Sequence, residues 1–276
     1  MTSDAEPARA RSSFLAEVPV PRSERPRLWW EIAIVLGLSL GQSAVYSILT
    51  IIQRLAAPTP LKNQSTQLNP SQSPTPWLDL TYQLLDIAFS LMAVALVIYL
   101  LWQPTRSGFR RIGLDWTRPW RDLGGGVVLF LVIGIPGLGL YAIGRAIGIT
   151  VDVQASPLDT YWWTVPVLVL SAVRAALQEE VIMVGYLFTR LRQLGWNSWW
   201  IIIASALVRG SYHLYQGIGP FFGNAIMGVV FGWCYRRWGR TAPLVVAHSL
   251  LDIVSFVGYP LAAALFPGVF GPAPKG

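Results

Sequence analysis

Charge is what this chain has least of. Asp, Glu, Lys and Arg together make up 13% of its 276 residues, against about 25% in an average globular domain. The deficit is concentrated. Stretches 32–53, 87–105, 123–144 and 210–235 hold none of the four, and each is 19 residues or longer. About 20 apolar residues span the hydrocarbon core of a bilayer, so a soluble fold is excluded. Cysteine is nearly absent as well. Cys234 stands alone, which excludes a disulfide-stapled secreted fold; its place near the end of an apolar run reads as packing rather than acylation. There are two Lys against 19 Arg, a bias that fits a GC-rich bacterial genome, in which the Asn63-Gln64-Ser65 sequon is idle. The net charge of +7 does not indicate a nucleic-acid partner, because the basic residues sit at the ends of apolar runs.

What is present is a series of such runs. Spans are expected at about 29–53, 78–103, 122–146, 161–189, 197–216, 218–235 and 241–259, followed by an apolar piece from Leu261 to Phe266 that is either a short eighth span or a half-span. The expected fold is therefore all-α: a polytopic integral-membrane bundle with seven spans plus that short piece. Residues 1–28 are polar, lack the apolar core of a signal peptide and read as a disordered cytoplasmic tail. The division expected after them is 29–146 for N-terminal transmembrane helices, 147–267 for a catalytic core and 268–276 for a C-terminal tail. Arg and Lys counts alternate between high and low along the connecting loops, which places the N-terminus in the cytoplasm of a bacterial plasma membrane. Trp residues cluster at span ends as interface anchors do.

Ionisable side chains inside spans are costly and mark function by default. Here they cluster. Glu179 and Glu180 lie in the fourth span, Arg209 and His213 in the fifth, His248 and Asp252 in the seventh. Both histidines of the chain are among them. At roughly 1.5 Å of rise per residue, Glu179 lies about 16 Å in from Arg190 and His248 about 12 Å in from Arg240. Three helices thus deliver polar groups to similar depth. His248 and Asp252 are four apart and share a face, as do Arg209 and His213. Glu179 and Glu180 point about 100° apart, so one can face a reaction centre while the other takes a structural partner, for which Arg209 matches in depth. Taken singly, each such residue is as readily a packing or ion-pair group. Asp86 and Arg174 are two further ionisable residues in spans.

Two imidazoles and a carboxylate have two hydrolytic uses. Glu179, His213 and His248 can hold Zn²⁺ with an open fourth position. Alternatively, Glu and His activate water directly, while the other His and Asp252 stabilise the oxyanion. There is no HExxH. Buried carboxylates also suit a proton-coupled transporter, but no broken-helix repeat is visible.

The motifs Glu179-Glu180-Val181-Ile182-Met183-Val184, Arg209-Gly210-Ser211-Tyr212-His213 and His248-Ser249-Leu250-Leu251-Asp252 resemble those of the CPBP family of intramembrane proteases, which includes the type II CAAX prenyl endopeptidases (Abi proteins). Its motifs are EExxxR, FxxxH and HxxxN/D on separate spans, and the resemblance covers about 160–258. It implies a (metallo)endopeptidase that cuts a membrane-associated protein or peptide. It also implies roles: Glu179 and His213 would polarise the water, His248 and Asp252 would stabilise the oxyanion, and Glu180 would assist or be structural. Zinc and a metal-free centre are equally compatible with it. Two positions depart from the pattern. Val184 replaces the Arg of the first motif and Arg209 the Phe of the second. The expectation is that these are linked, with Arg209 supplying the missing counter-charge from a neighbouring helix. The competing reading is a catalytically silent relative that acts as a membrane scaffold.

Overall fold

Helices form where the sequence is apolar, and proline and glycine set many of their ends. The computed structural model describes residues 14, 17–156, 158 and 161–265. Its helices are α1 (Arg25–Gly37), α2 (Leu40–Ala56), α3 (Pro76–Leu100), the short α4 (Gly108–Arg111), α5 (Pro119–Ala146), α6 (Thr164–Glu179), α7 (Leu187–Gln193), α8 (Ser198–Ser211), α9 (Ile218–Trp238), α10 (Ala242–Ile253) and α11 (Tyr259–Leu265). Proline occupies the first turn of α1, α3, α5 and α10, where its missing N–H costs nothing. Asn197 caps α8 by accepting the Trp199 N–H, and Gly239 ends α9 in the left-handed region at φ 66°, the usual glycine stop. Two three-residue strands, β1 (Ser65–Gln67) and β2 (Asp152–Gln154), pair in parallel with Thr66 opposite Val153.

The polytopic helical bundle expected from the apolar runs is what forms. The main packings are α5 on α10, α8 on α9, and α6 on both α10 and α3. Among the described residues four helices are long and apolar enough to cross a membrane: α3, α5, α9 and the helix running from Ala242 to Ala262. A fifth span results if α1 and α2 count as one, since they meet at a 58° bend. The expected straight span at 29–53 is therefore broken at Leu38 and Ser39. The piece beginning at Leu261 is not a separate span either. Through Leu265 it continues the helix begun at Ala242; Phe266 lies outside the described residues. The fifth expected span, at 197–216, is represented by a 14-residue helix, α8.

The reading of 1–28 as an unfolded tail is corrected for Phe14 and for 17–28. Phe14 is 1% exposed and its ring packs 5.6 Å from Phe188 and 5.8 Å from Tyr235. Both carboxylate oxygens of Glu17 receive Arg111, at 2.8 and 2.7 Å. The Val20 N–H donates to the Gln193 carbonyl at 2.8 Å. Long-range pairing of this kind leaves no local periodicity to read. Basic residues that suggested loop charge are likewise spent internally. Arg190 pairs with Glu31 at 2.7 Å, and Arg240 with Asp122 and Asp115 at 2.6 and 3.0 Å.

Candidate active site

α6 does not end at its acidic pair. The helix continues to Gln193, but from Glu180 to Tyr186 its hydrogen bonding is of π type. Such stretches are rare and concentrate at functional sites. Every residue from Glu179 to Leu191 is buried. The two carboxylates leave the helix in different directions. Glu180, 0% exposed, receives the Arg209 Nη2 at 2.6 Å and lies 2.7 Å from His248 Nδ1, both on one oxygen. Glu179 accepts the Tyr212 hydroxyl at 2.7 Å on Oε2. Its Oε1 faces His213 Nε2 at 3.9 Å, and its Oε2 lies 4.0 Å from His248 Nε2. His248 Nε2 is also 3.6 Å from Asp252.

Arg209 can sit fully buried because its charge is met on several sides. Besides Glu180 it has Glu179 at 3.8 Å and the Phe231 ring at 5.5 Å, a cation–π contact. The room for its stem comes from Gly228 on α9. A Cβ there would stand 2.9 Å from the Ala206 Cα and 3.2 Å from the Arg209 Cδ. Val184, where the family motif carries arginine, is buried among apolar neighbours.

All six residues singled out from the sequence therefore meet in one place: Glu179, Glu180, Arg209, His213, His248 and Asp252. Asp86 and Arg174 pair with each other. They lie 3.7 Å from one another, with the Asp86 side chain 54% exposed. Tyr212 is the residue that sequence reasoning passed over. It sits beside His213 within a quoted motif, and a tyrosine in an apolar span gave no separate signal. Ser47 of α2 donates to the Tyr212 carbonyl at 2.8 Å, which ties the first helices to the centre.

Glu179, Glu180 and His248 each offer a ligand atom within 4.8 Å of the others, and all three side chains are buried. Glu180 Oε2 has no hydrogen-bond partner among the described residues and is free to serve as a donor. The set fits a small divalent cation by distance and donor type. It differs from the set expected from sequence, in which His213 held the place that Glu180 takes here.

The fold and its centre thus define a polytopic membrane protein with a buried carboxylate–imidazole cluster drawn from three helices. Residues 161–254 match the family model described as Type II CAAX prenyl endopeptidase Rce1-like, about a third of the chain and inclusive of all six cluster residues. The match is consistent with the CPBP resemblance. No curated protein and no solved structure matches the chain.

Proposed function

We propose that this protein is an intramembrane endopeptidase that hydrolyses a peptide bond of a membrane-associated protein or peptide. The observation that carries the reading is the division of labour between the adjacent carboxylates. Glu180 is tied to Arg209 and His248, whereas Glu179 keeps Oε1 towards His213 across 3.9 Å, a gap that one water bridges. Glu179 takes a proton from that water as its oxygen attacks the peptide carbonyl. The tetrahedral oxyanion is met by His248, with Asp252 beside it. Collapse breaks the C–N bond, and the proton held on Glu179 passes to the leaving amine. Tyr212 holds Glu179 in place through a charge-assisted bond.

The tautomer of His248 bears on the alternative. An ionised Glu180 only accepts, so Nδ1 carries the hydrogen. Neutral His248 then presents a bare Nε2 lone pair and can ligate a metal; to donate to an oxyanion it must be imidazolium. If a metal binds through that nitrogen, Glu179 and His248 would hold it while Glu180 steadies the imidazole from Nδ1, and it would supply Lewis-acid activation of water. The orientation we assign puts the N-terminus in the cytoplasm of a bacterial plasma membrane, on the five Arg residues of positions 1–28 against Arg54 and Lys62 at the far end of α1 and α2.

The test is cleavage of lipid-anchored peptides by the purified protein in nanodiscs. Glu179→Gln and His213→Ala are each expected to lower the rate by about 10² to 10⁴, the range of general acid–base catalysis. Unchanged cleavage in both variants would reject the centre. Transport without cleavage would favour a carrier. Elemental mass spectrometry followed by chelation decides the metal.

A further inference from the structure

α2 carries a polar face where a lipid-facing helix has no use for one. Ser43, Ser47, Thr50 and Arg54 recur at steps of four, three and four, which places them on one side of the helix. On other sides Val45, Leu49 and Ile52 are 57–58% exposed, as lipid contacts are. The polar side lines an open groove of about 520 Å³, joined by Gln42 and Tyr46. Thr66 of β1, Tyr212 and Tyr215 also line it. Tyr212 is the residue whose hydroxyl holds Glu179. The groove is therefore lined both by a strand residue and by the residue that holds the candidate catalytic carboxylate.

Among the described residues no strand pairs with the other edge of β1. The Asp152 N–H donates to the Gln64 carbonyl and the Leu68 N–H to the Gln154 carbonyl, each at 2.8 Å. In a parallel ladder alternate residues bond to the same neighbour, so Thr66 also faces β2, while Ser65 and Gln67 turn their main chain the other way. That side is the groove side. The Arg54 guanidinium, which lines the groove, reaches the Ser65 carbonyl at 3.2 Å.

We propose that this groove is a docking site for an extended peptide, which pairs its main chain with the free edge of β1 and lies along the hydroxyl and amide face of α2 with its scissile bond towards Glu179. The occupant follows from the chemistry. A transmembrane or interfacial segment must be unwound before a hydrolase can reach its carbonyls, and each freed N–H and C=O then needs a partner in a medium with little water. The groove offers neutral donors and acceptors, which suit peptide amides, together with a strand edge, which accepts a peptide by main-chain addition. The proposal rests on the protease reading for its direction, but the binding itself does not require turnover.

The closing experiment uses that separation. In the full-length Glu179→Gln protein in nanodiscs, a photo-crosslinking amino acid is placed at Ser43 or, as a lipid-facing control, at Phe89, and a biotinylated lipid-anchored peptide is the probe. Labelling is expected to be several-fold higher at Ser43 than at Phe89 and to be competed by unlabelled peptide. Equal labelling at the two positions, or labelling at Ser43 that competitor leaves unchanged, overturns the groove. In the active protein, Gln67→Pro removes an outward N–H and is expected to raise KM about fivefold at constant kcat, whereas Gln67→Ala keeps the N–H and leaves KM unchanged. Equal KM in the two variants removes the strand edge from the proposal. A wild-type protein that labels at Ser43 but cleaves nothing would retain the groove and reject the protease.

Discussion

Two long helices of this protein solve opposite problems. In the most apolar stretch of α5 only 11% of residues are buried inside the protein; Ile135 and Leu138 are 68% and 69% exposed. From Glu179 to Leu191 on the α6–α7 helix every residue is buried, including two carboxylates and an arginine. α5 meets its surroundings by being apolar. The other helix carries charges into the interior and needs partners from α8 and α10 to balance them. Stability is spread thinly over the first kind of helix and concentrated at a few side chains of the second.

The comparison breaks first at Arg209. Removing one partner of a buried ion pair leaves the other charge stranded, at a cost of about 3–5 kcal/mol. Arg209→Met is expected to lower thermal stability in detergent by that amount; a melting temperature equal to the parent's would show that Glu180 does not need the guanidinium. The double change Val184→Arg with Arg209→Phe restores the family's arrangement and is expected to recover stability that Arg209→Met loses. Next comes Phe14→Ala. This ring lies far along the chain from the helices that enclose it, and deleting a buried aromatic costs about 3 kcal/mol, read by denaturant unfolding, with cleavage at the centre unchanged.

A smaller effect is expected from acid at the loop between α4 and α5. Burial opposes the charge on Asp115, but hydrogen bonds from Thr117 and Arg240 outweigh it and hold the carboxyl below its usual value. A depressed carboxylate stabilises the fold above its unfolded pKa of about 3.9, and that contribution is lost as pH falls further through the folded value. Asp115→Asn is therefore expected to lower stability slightly at neutral pH, leave it nearly unchanged at the acid end, and so flatten the acid limb of the unfolding profile. Smallest of all is Leu138→Ala on the bare side of α5, with an expected change within about 0.5 kcal/mol. A larger loss would mean that this side is covered by protein.

Much of the centre was legible because a membrane makes charge conspicuous. Glu179, His213 and His248 stand out in apolar runs, and the spacing of four put His248 and Asp252 on one face of α10; His213 lies beyond the end of α8 at Ser211, so the same rule does not carry its pairing with Arg209. The contact between Arg209 and Glu180 could be anticipated from depth alone. Other features leave no such trace. The bend at Leu38 and Ser39 falls inside an uninterrupted uncharged run, so composition read it as one span. The π stretch has no sequence signature, since Val181 to Tyr186 suit an α-helix equally well. Glu17 and Arg111 are 94 residues apart, and only the folded chain reveals that they belong together. Tyr212 was hidden by being an aromatic among aromatics.

The glycine at 228 links bulk on one helix to charge on another. A methyl group at 228 would press first on the Ala206 backbone of α8 and then on the Arg209 stem that passes there. Where the counter-charge is moved to position 184 and a ring fills position 209, the stem is gone, and Gly228→Ala meets one fewer obstacle. Which helix supplies the positive charge and how tightly its neighbours can nest are then a single choice, made twice in the sequence.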